Sequence, residues 1–375
     1  MNSIIEKEKK IEVLHLNSEK SWRGGEQQLA YLLDELQLKN VRNYIICREG
    51  SALERYCIDH HVQYTSLPFR SGISLRSAQA IKNTCRKLKI DLVHIHSGKP
   101  HTLAVLSTLL GNHVPMVLSR RIAFPISNSF FSRWKFNSYA IKKIICISAA
   151  VEQEVMRSIN RKERCTIVHS GIDINRFSKP TGYLRRHYSI APNEMIIGNV
   201  AALSDSKDLL TFLATAAIFR QYNIPNRFVI IGEGEERRVI QKFIAENKLE
   251  NQVLLTGFLK NVDEILPEFD AFLTTAKVEG LGTSVLDAFA SKVPVVATRA
   301  GGIPEMVIHE KTGLLAEVKD AEQLALHLKR LVDEPALKEK LTNNAYQHLM
   351  THFTKEKMAS DTLAIYREVL NNETR

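Results

Sequence analysis

Carboxylates, histidines and a lysine stand beside glycine-rich turns at several points of this chain. The densest group is Lys277-Val278-Glu279-Gly280-Leu281-Gly282-Thr283-Ser284-Val285-Leu286-Asp287-Ala288. It reads as a strand end, a Gly-rich turn and a helix start. Glu279 falls in the turn and Asp287 about one turn into the helix, and two carboxylates so placed can accept hydrogen bonds from sugar hydroxyls. The amides of Gly282, Thr283 and Ser284 lack intrahelical partners and can donate to the same ligand. A Gly-rich helix cap with surface acids would leave the same pattern.

A second group is Asp91-Leu92-Val93-His94-Ile95-His96-Ser97, where the period of two puts both histidines on one face of a strand. A metal pair would need a third ligand, and none lies nearby in the sequence. A histidine packed at a strand end is the plainer account. His96, nearer the strand tip, is the candidate site residue. A third group, Ser21-Trp22-Arg23-Gly24-Gly25-Glu26, follows a strand and opens a helix. Gly24 and Gly25 let backbone approach a ligand, and the helix start adds amides for an anion. Ala300-Gly301-Gly302-Ile303-Pro304-Glu305 offers a similar turn, with Pro304 suited to a first helical position. Gly232-Glu233-Gly234-Glu235-Glu236-Arg237 is half a dinucleotide fingerprint in acidic surroundings and reads as structural. No GxxxxGK[ST] phosphate loop occurs.

The elements that carry these groups alternate along the chain. Apolar runs at Ile11–Leu16, Tyr44–Cys47, Leu92–Ile95, Met116–Ser119 and Ile144–Ile147 read as strands, with helices at Glu26–Leu38 and Leu75–Leu88 between them. The pattern pauses over Phe177–Asn193, where Pro180, Gly182 and Pro192 collect. It restarts with strands at Met195–Val200, Phe228–Ile231, Val253–Thr256, Ala271–Thr274 and Val293–Ala297, and with helices at Asp208–Arg220, Glu235–Asn247 and Thr283–Ser291. Ala321 to Leu370 reads as helices only. This implies an α/β protein of two Rossmann-like domains, residues 1–180 and 181–353, whose parallel sheets face a cleft, followed by a terminal helical segment, 354–375.

Composition narrows the class. Of 375 residues, 44% are hydrophobic and 25% charged, an ordinary globular balance that excludes a disordered or collagen-like chain. Five cysteines without a CxxC pair argue against a disulfide framework or zinc knuckle and fit a reducing cytoplasm. The charged start, MNSIIEKEKKIEVLHL, is unlike a signal peptide, and no apolar run is long enough to span a membrane. The net charge of +10 is concentrated in residues 1–180, with 28 Lys and Arg against 15 Asp and Glu. No acid occurs between Leu92 and Val151. A basic half attracts nucleic acid, anionic membranes or acidic substrates.

Taken in order, these motifs resemble the retaining glycosyltransferases of family 4, which have the GT-B fold. The resemblance covers nearly the whole chain. It rests on Gly24-Gly25, the His94–His96 strand end, Ser170-Gly171-Ile172-Asp173-Ile174-Asn175-Arg176-Phe177, Lys207, the Glu279–Asp287 spacing, Gly301-Gly302-Ile303-Pro304-Glu305 and Thr312-Gly313-Leu314. It implies hexosyl transfer from a nucleotide-diphosphate sugar to a glycan or lipid-linked acceptor, in envelope polysaccharide or lipopolysaccharide assembly. Lys207 would bind the diphosphate, Glu279 the sugar hydroxyls, and Asp287 the ribose. Gly24, Gly25, Gly282, Thr283 and Ser284 would complete the donor site. Glu279 and His96 would be the catalytic residues, His96 assisting attack from the donor's own face. No metal and no other cofactor is expected. The last helix, about Thr354–Leu370, would cross back to the first domain. Two positions depart from the family pattern: Ala202 stands where an arginine usually flanks the diphosphate, and Asp287 replaces a glutamate.

The acid-free stretch Arg120–Lys143 mixes six basic residues with Phe124, Phe130, Phe131, Trp134, Phe136 and Tyr139. Arg120 and Arg121 would bind acceptor phosphate or carboxylate, and the stretch would touch an anionic inner membrane face reversibly. Nucleic acid is not expected as a partner, because no helix-turn-helix, zinc finger or RNP motif supports it. The other alternative, an NAD-dependent oxidoreductase, lacks a complete GxGxxG.

Overall fold

The computed structural model describes residues 10–70, 73–127, 129–177 and 180–373. The first residues read above for a signal peptide, and Asn128 of the acid-free stretch, lie outside them. Seven strands build the first sheet: β1 (Ile11–Leu16), β2 (Val41–Arg48), β3 (Tyr64–Leu67), β4 (Leu92–Ile95), β5 (Met116–Arg120), β6 (Ile141–Cys146) and β7 (Cys165–Ile167). Six build the second: β8 (Met195–Val200), β9 (Asn226–Ile231), β10 (Val253–Gly257), β11 (Ala271–Thr274), β12 (Val295–Thr298) and β13 (Leu314–Ala316).

The strand orders are β3-β2-β1-β4-β5-β6-β7 and β10-β9-β8-β11-β12-β13, and the paired strands run parallel. Each sheet is therefore wound outward from a central pair, β1/β4 in one and β8/β11 in the other. The crevice beyond the carboxyl ends of such a pair is where an open α/β sheet takes its ligand. Strands buried on both faces explain the near-continuous apolar runs: all four residues of β4, β11 and β12 are buried.

Three strands escape the sequence reading, β3, β7 and β13. Each is an edge strand of three or four residues. An edge strand needs apolar residues on fewer sides, and β3 (YTSL) carries no fully buried residue.

The helix Lys355–Glu373 leaves the second half and packs on the first sheet. Met358, Leu363, Ile365, Tyr366 and Val369 join Val13, Leu92, Val117 and Ile145 in one core cluster. Lys142 and Lys143 of β6 pair with Glu373 and Glu368 on that helix. The crossing is pinned at its start, where Ile172 N donates to Phe353 O and Lys355 N to Ile172 O. The five cysteines carry free thiols, four of them buried.

Candidate functional site

The site residues emerge at the carboxyl ends of the central strands. β8 ends at Val200, and the loop after it carries Lys207. β11 ends at Thr274, and the loop after it carries Glu279. The two loops are tied together: Lys277 N donates to Ser206 O at 2.9 Å, and the Thr275 hydroxyl to Asp208 O at 2.9 Å. This brings the Lys207 ammonium into an ion pair with the Glu279 carboxylate, both side chains being partly exposed. The two groups that the family resemblance assigns to diphosphate and sugar thus neutralise each other.

The turn bearing Glu279 is packed by backbone rather than by side chains. A Cβ on Gly280 would lie 2.4 Å from Arg121 O, and one on Gly301 would lie 1.8 Å from Glu279 O. Both positions therefore exclude any larger residue. Gly302 N also donates to Glu279 O at 3.3 Å. The Gly301-Gly302 turn, read as a source of amides for a ligand, thus braces the Glu279 turn. Gly232 and Gly234 do the same against Ala201 O and Leu203 O, at 1.9 and 2.2 Å from their would-be Cβ atoms, as the structural reading of that motif expects. Gly282 has φ +95 and opens the helix Thr283–Ala290, so the first-turn amides of Thr283 and Ser284 come after a left-handed residue.

Asp287 lies in the second turn of that helix. Burial, opposed by nearby Arg176 and reinforced by Asp263, pushes its carboxyl up to about 7. Arg176 comes from the segment that joins the two sheets, and its Nη1 donates to Tyr31 Oη at 2.6 Å. The Ser170–Phe177 segment carried the family likeness without a role for Arg176; its charge beside Asp287 could be read only once the chain was folded.

The first half meets this turn from the opposite side. Gly24 and Gly25 start the helix Gly24–Gln37; a Cβ on Gly24 would lie 3.8 Å from Thr283 Oγ1, and one on Gly25 would lie 3.9 Å from Arg121 Cδ. The helix Ala149–Met156 docks its start on the second half. Its cap residue Ser148 donates to Gly280 O at 2.6 Å, and Ala149 N donates to the Glu305 carboxylate at 2.8 Å. His169 Nε2 is 2.9 Å from the same carboxylate. Glu305 of the Gly-Gly-Ile-Pro-Glu segment is therefore a clamp between the halves.

The two arginines diverge. Arg121 follows β5 on the side of Ser119 and His94, and its Nη1 is 3.5 Å from Ser170 Oγ. Its Nε is buried without a partner among the described residues, and burial, opposed by Glu26, lowers the guanidinium to about 10. Arg120, one residue earlier, turns to the other face of the strand, as alternation requires, and its Nη2 donates to Phe124 O at 2.7 Å. The expectation that both face the cleft is corrected: the structure places only Arg121 there.

His94 and His96 share a face, as read, and a third histidine joins them. His15 of β1 pairs in register with His94, and one ring nitrogen from each of His15, His94 and His96 lies within 4.8 Å of the other two. The third nitrogen ligand missing from the sequence reading comes from the neighbouring strand. Its signal was present: both central strands carry histidine at their penultimate position, His15 before Leu16 and His94 before Ile95. His94 is committed on both ring nitrogens, Nδ1 at 2.5 Å from Tyr366 Oη and Nε2 at 2.8 Å from Ser119 Oγ. Burial holds all three rings well below the usual histidine range, His15 at about 4.

In the acid-free stretch, Ile122, Phe124, Phe130 and Phe131 are exposed, and Phe136 is buried. Lys142 stacks over Tyr139 at 3.8 Å besides pairing with Glu373. The apolar surface is present, but two of its six basic residues are tied to the last helix. Among the described residues no helix is long and apolar enough to cross a membrane.

Comparisons with known proteins place the chain in a family. The model described as Glycosyltransferase Family 4 matches residues 22–176, and that described as Glycosyl transferases group 1 matches residues 183–348, between them most of the chain. The N-acetyl-alpha-D-glucosaminyl L-malate synthase of Bacillus anthracis is 24% identical over 80% of each chain. The N-acetylgalactosamine-N,N'-diacetylbacillosaminyl-diphospho-undecaprenol 4-alpha-N-acetylgalactosaminyltransferase of Campylobacter jejuni is 23% identical, over 91% of this chain and 95% of its own. Among solved structures, Anabaena HepE in complex with UDP and glucose superposes with a TM-score of 0.82 at 19% identity, over 96% of this chain and all of its own. The oxidoreductase and nucleic-acid readings give way accordingly: the chain belongs to the GT-B glycosyltransferases of the family 4 type.

Proposed function

We propose that the chain transfers a sugar from a nucleoside-diphosphate donor to a glycan or lipid-linked acceptor, with retention of configuration, in envelope polysaccharide or lipopolysaccharide assembly. The observation that carries the donor half is the Lys207–Glu279 pair at the second switch point, beside the helix start at Thr283. A lysine and unsatisfied amides meet the diphosphate, and Glu279, freed from Lys207, accepts from sugar hydroxyls. Asp287 takes the ribose. Arg121, unpaired at Nε and beside Gly25, is assigned to the acceptor's anionic group; Arg120 is not, because Phe124 O engages it. The UDP held by the Anabaena relative and the diphospho-undecaprenol in the Campylobacter relative's name support these classes of ligand.

In the reaction, the bond from the anomeric carbon to the diphosphate oxygen breaks and one forms from that carbon to an acceptor hydroxyl oxygen. The hydroxyl proton passes to the departing diphosphate. Lys207 and the amides at Gly282–Ser284 stabilise negative charge where it develops. The exposed Ile122, Phe124, Phe130 and Phe131 suit shallow, reversible contact with the inner membrane face where lipid-linked acceptors lie. The deciding experiment is a screen of UDP-, GDP- and ADP-sugars by nucleotide release against several acceptors, with the product's anomeric configuration read by NMR. Transfer from one donor class with the configuration kept is expected; inversion, or no transfer from any donor, contradicts the reading.

A further inference from the structure

The histidine cluster carries a tautomer argument. Asn43 Nδ2 donates to Leu33 O at 3.3 Å, which orients Asn43 Oδ1 toward His15 Nε2 at 3.1 Å. An amide oxygen only accepts, so His15 carries its proton on Nε2 and its Nδ1 is a bare lone pair. His15 Nδ1 stands 3.0 Å from His96 Nε2. That contact is a hydrogen bond only if His96 donates, so His96 is also protonated on Nε2. Its other nitrogen, Nδ1, is buried and has no partner among the described residues. A buried acceptor left empty is costly, and a partner supplied by a ligand would account for it. The same hydrogen bonds account for His15 and His96 as a neutral relay, and His94 is saturated by Tyr366 and Ser119.

We propose that Asn43 and His15 are positioning residues that lock His96 as the Nε2–H tautomer, so that its bare Nδ1 accepts a hydrogen bond from a hydroxyl of the bound sugar. The proposal rests on the glycosyltransferase reading for the identity of that hydroxyl, but the tautomer itself does not. The opposite tautomer would present an N–H there, and the same hydroxyl would have to turn and accept instead of donate. Asn43 lies on β2 and His15 on β1, so the relay crosses three adjacent strands to reach the tip of β4.

The test uses the full chain labelled with 15N-histidine. Long-range proton–nitrogen correlations, recorded with and without UDP, should show Nε2–H and a bare Nδ1 for both His15 and His96. In His15→Leu, His96 should populate both tautomers and kcat should fall by about tenfold or more with donor KM nearly unchanged. His15→Asn, which keeps an acceptor near the Nδ1 position, should restore the tautomer and most of kcat. Asn43→Leu gives a second break should His15→Leu fold poorly. A wild-type His96 protonated on Nδ1, an unchanged tautomer and rate in both breaking variants, or stoichiometric zinc on the three rings overturns the proposal. A correct tautomer in a chain that transfers no sugar would instead refute the transferase reading and the hydroxyl with it.

Discussion

The two sheets are wound in the same order from the same kind of central pair, yet their switch points hold different chemistry. The first places His15 near the end of β1 and His96 and Arg121 just beyond β4 and β5, with rings buried and held neutral. The second places Lys207 and Glu279, ion-paired and partly exposed, beside a helix start. One frame thus presents lone pairs and a guanidinium bonded at Nη1 alone among the described residues, and the other presents charge and amides. The difference teaches that the fold supplies a location, and that loop residues decide which part of a reaction happens there.

The sharpest way to break the comparison is Glu279→Ala. Transfer should fall by roughly a hundredfold or more while the circular dichroism spectrum stays native, because the turn is held by the backbone of Gly280, Gly301 and Gly302. Near-wild-type turnover in the folded variant would remove Glu279 from the site.

Arg121→Ala comes next. The acceptor's KM should rise about tenfold with donor affinity nearly unchanged. Loss of donor affinity instead would move Arg121 to the diphosphate, across the boundary drawn between the halves.

The two halves should also answer pH in opposite directions. Asp287, raised to about 7, keeps its proton in the folded chain where an unfolded aspartate has lost it. Its contribution to stability is therefore lost as pH rises from about 4 to 7. The buried histidines, with lowered folded values, oppose it: His15, His94 and His96 cost stability as pH falls below about 6.5, where the unfolded rings bind protons. Donor affinity should rise severalfold from pH 6 to 8 as Asp287 ionises, and Asp287→Asn should flatten that rise. An unchanged slope in titrations of the variant would exclude Asp287 as its source.

The smallest effect belongs to the exposed aromatics. Phe124→Ser with Phe130→Ser should weaken sedimentation with anionic vesicles a few fold, and low salt should strengthen the wild type. Equal binding to neutral and anionic vesicles, or none at low salt, would remove membrane contact from the account.

Much of this was legible in the sequence because buried parallel strands write themselves as apolar runs. The bounds Ile11–Leu16, Leu92–Ile95, Met195–Val200 and Ala271–Thr274 are those of the structure. Edge strands β3 and β7 were not legible, since neither carries a fully buried residue, and β13, though buried, is only three residues long. Glu279, Gly282 and Lys207 could be read as turn residues after central strands, but their mutual pairing could not, because it depends on two loops tied at Lys277 and Ser206. Adjacent Arg120 and Arg121 looked equivalent until strand alternation sent them to opposite faces. His15 left a signal, a histidine at the penultimate position of a central strand, but its partners lie 79 and 81 residues away and meet it only through strand register.

The central claim, that the second switch point holds the diphosphate, is tested most directly by calorimetric titration of UDP, GDP, ADP and NAD into wild type, Lys207→Ala and Arg120→Ala. One nucleoside diphosphate should bind wild type saturably, one per chain, with NAD without effect. Lys207→Ala should lose about 1.5–3 kcal/mol of that binding, the value of a charge-assisted contact, and Arg120→Ala should lose little. Unchanged affinity in Lys207→Ala, or an equal loss in Arg120→Ala, would contradict the account.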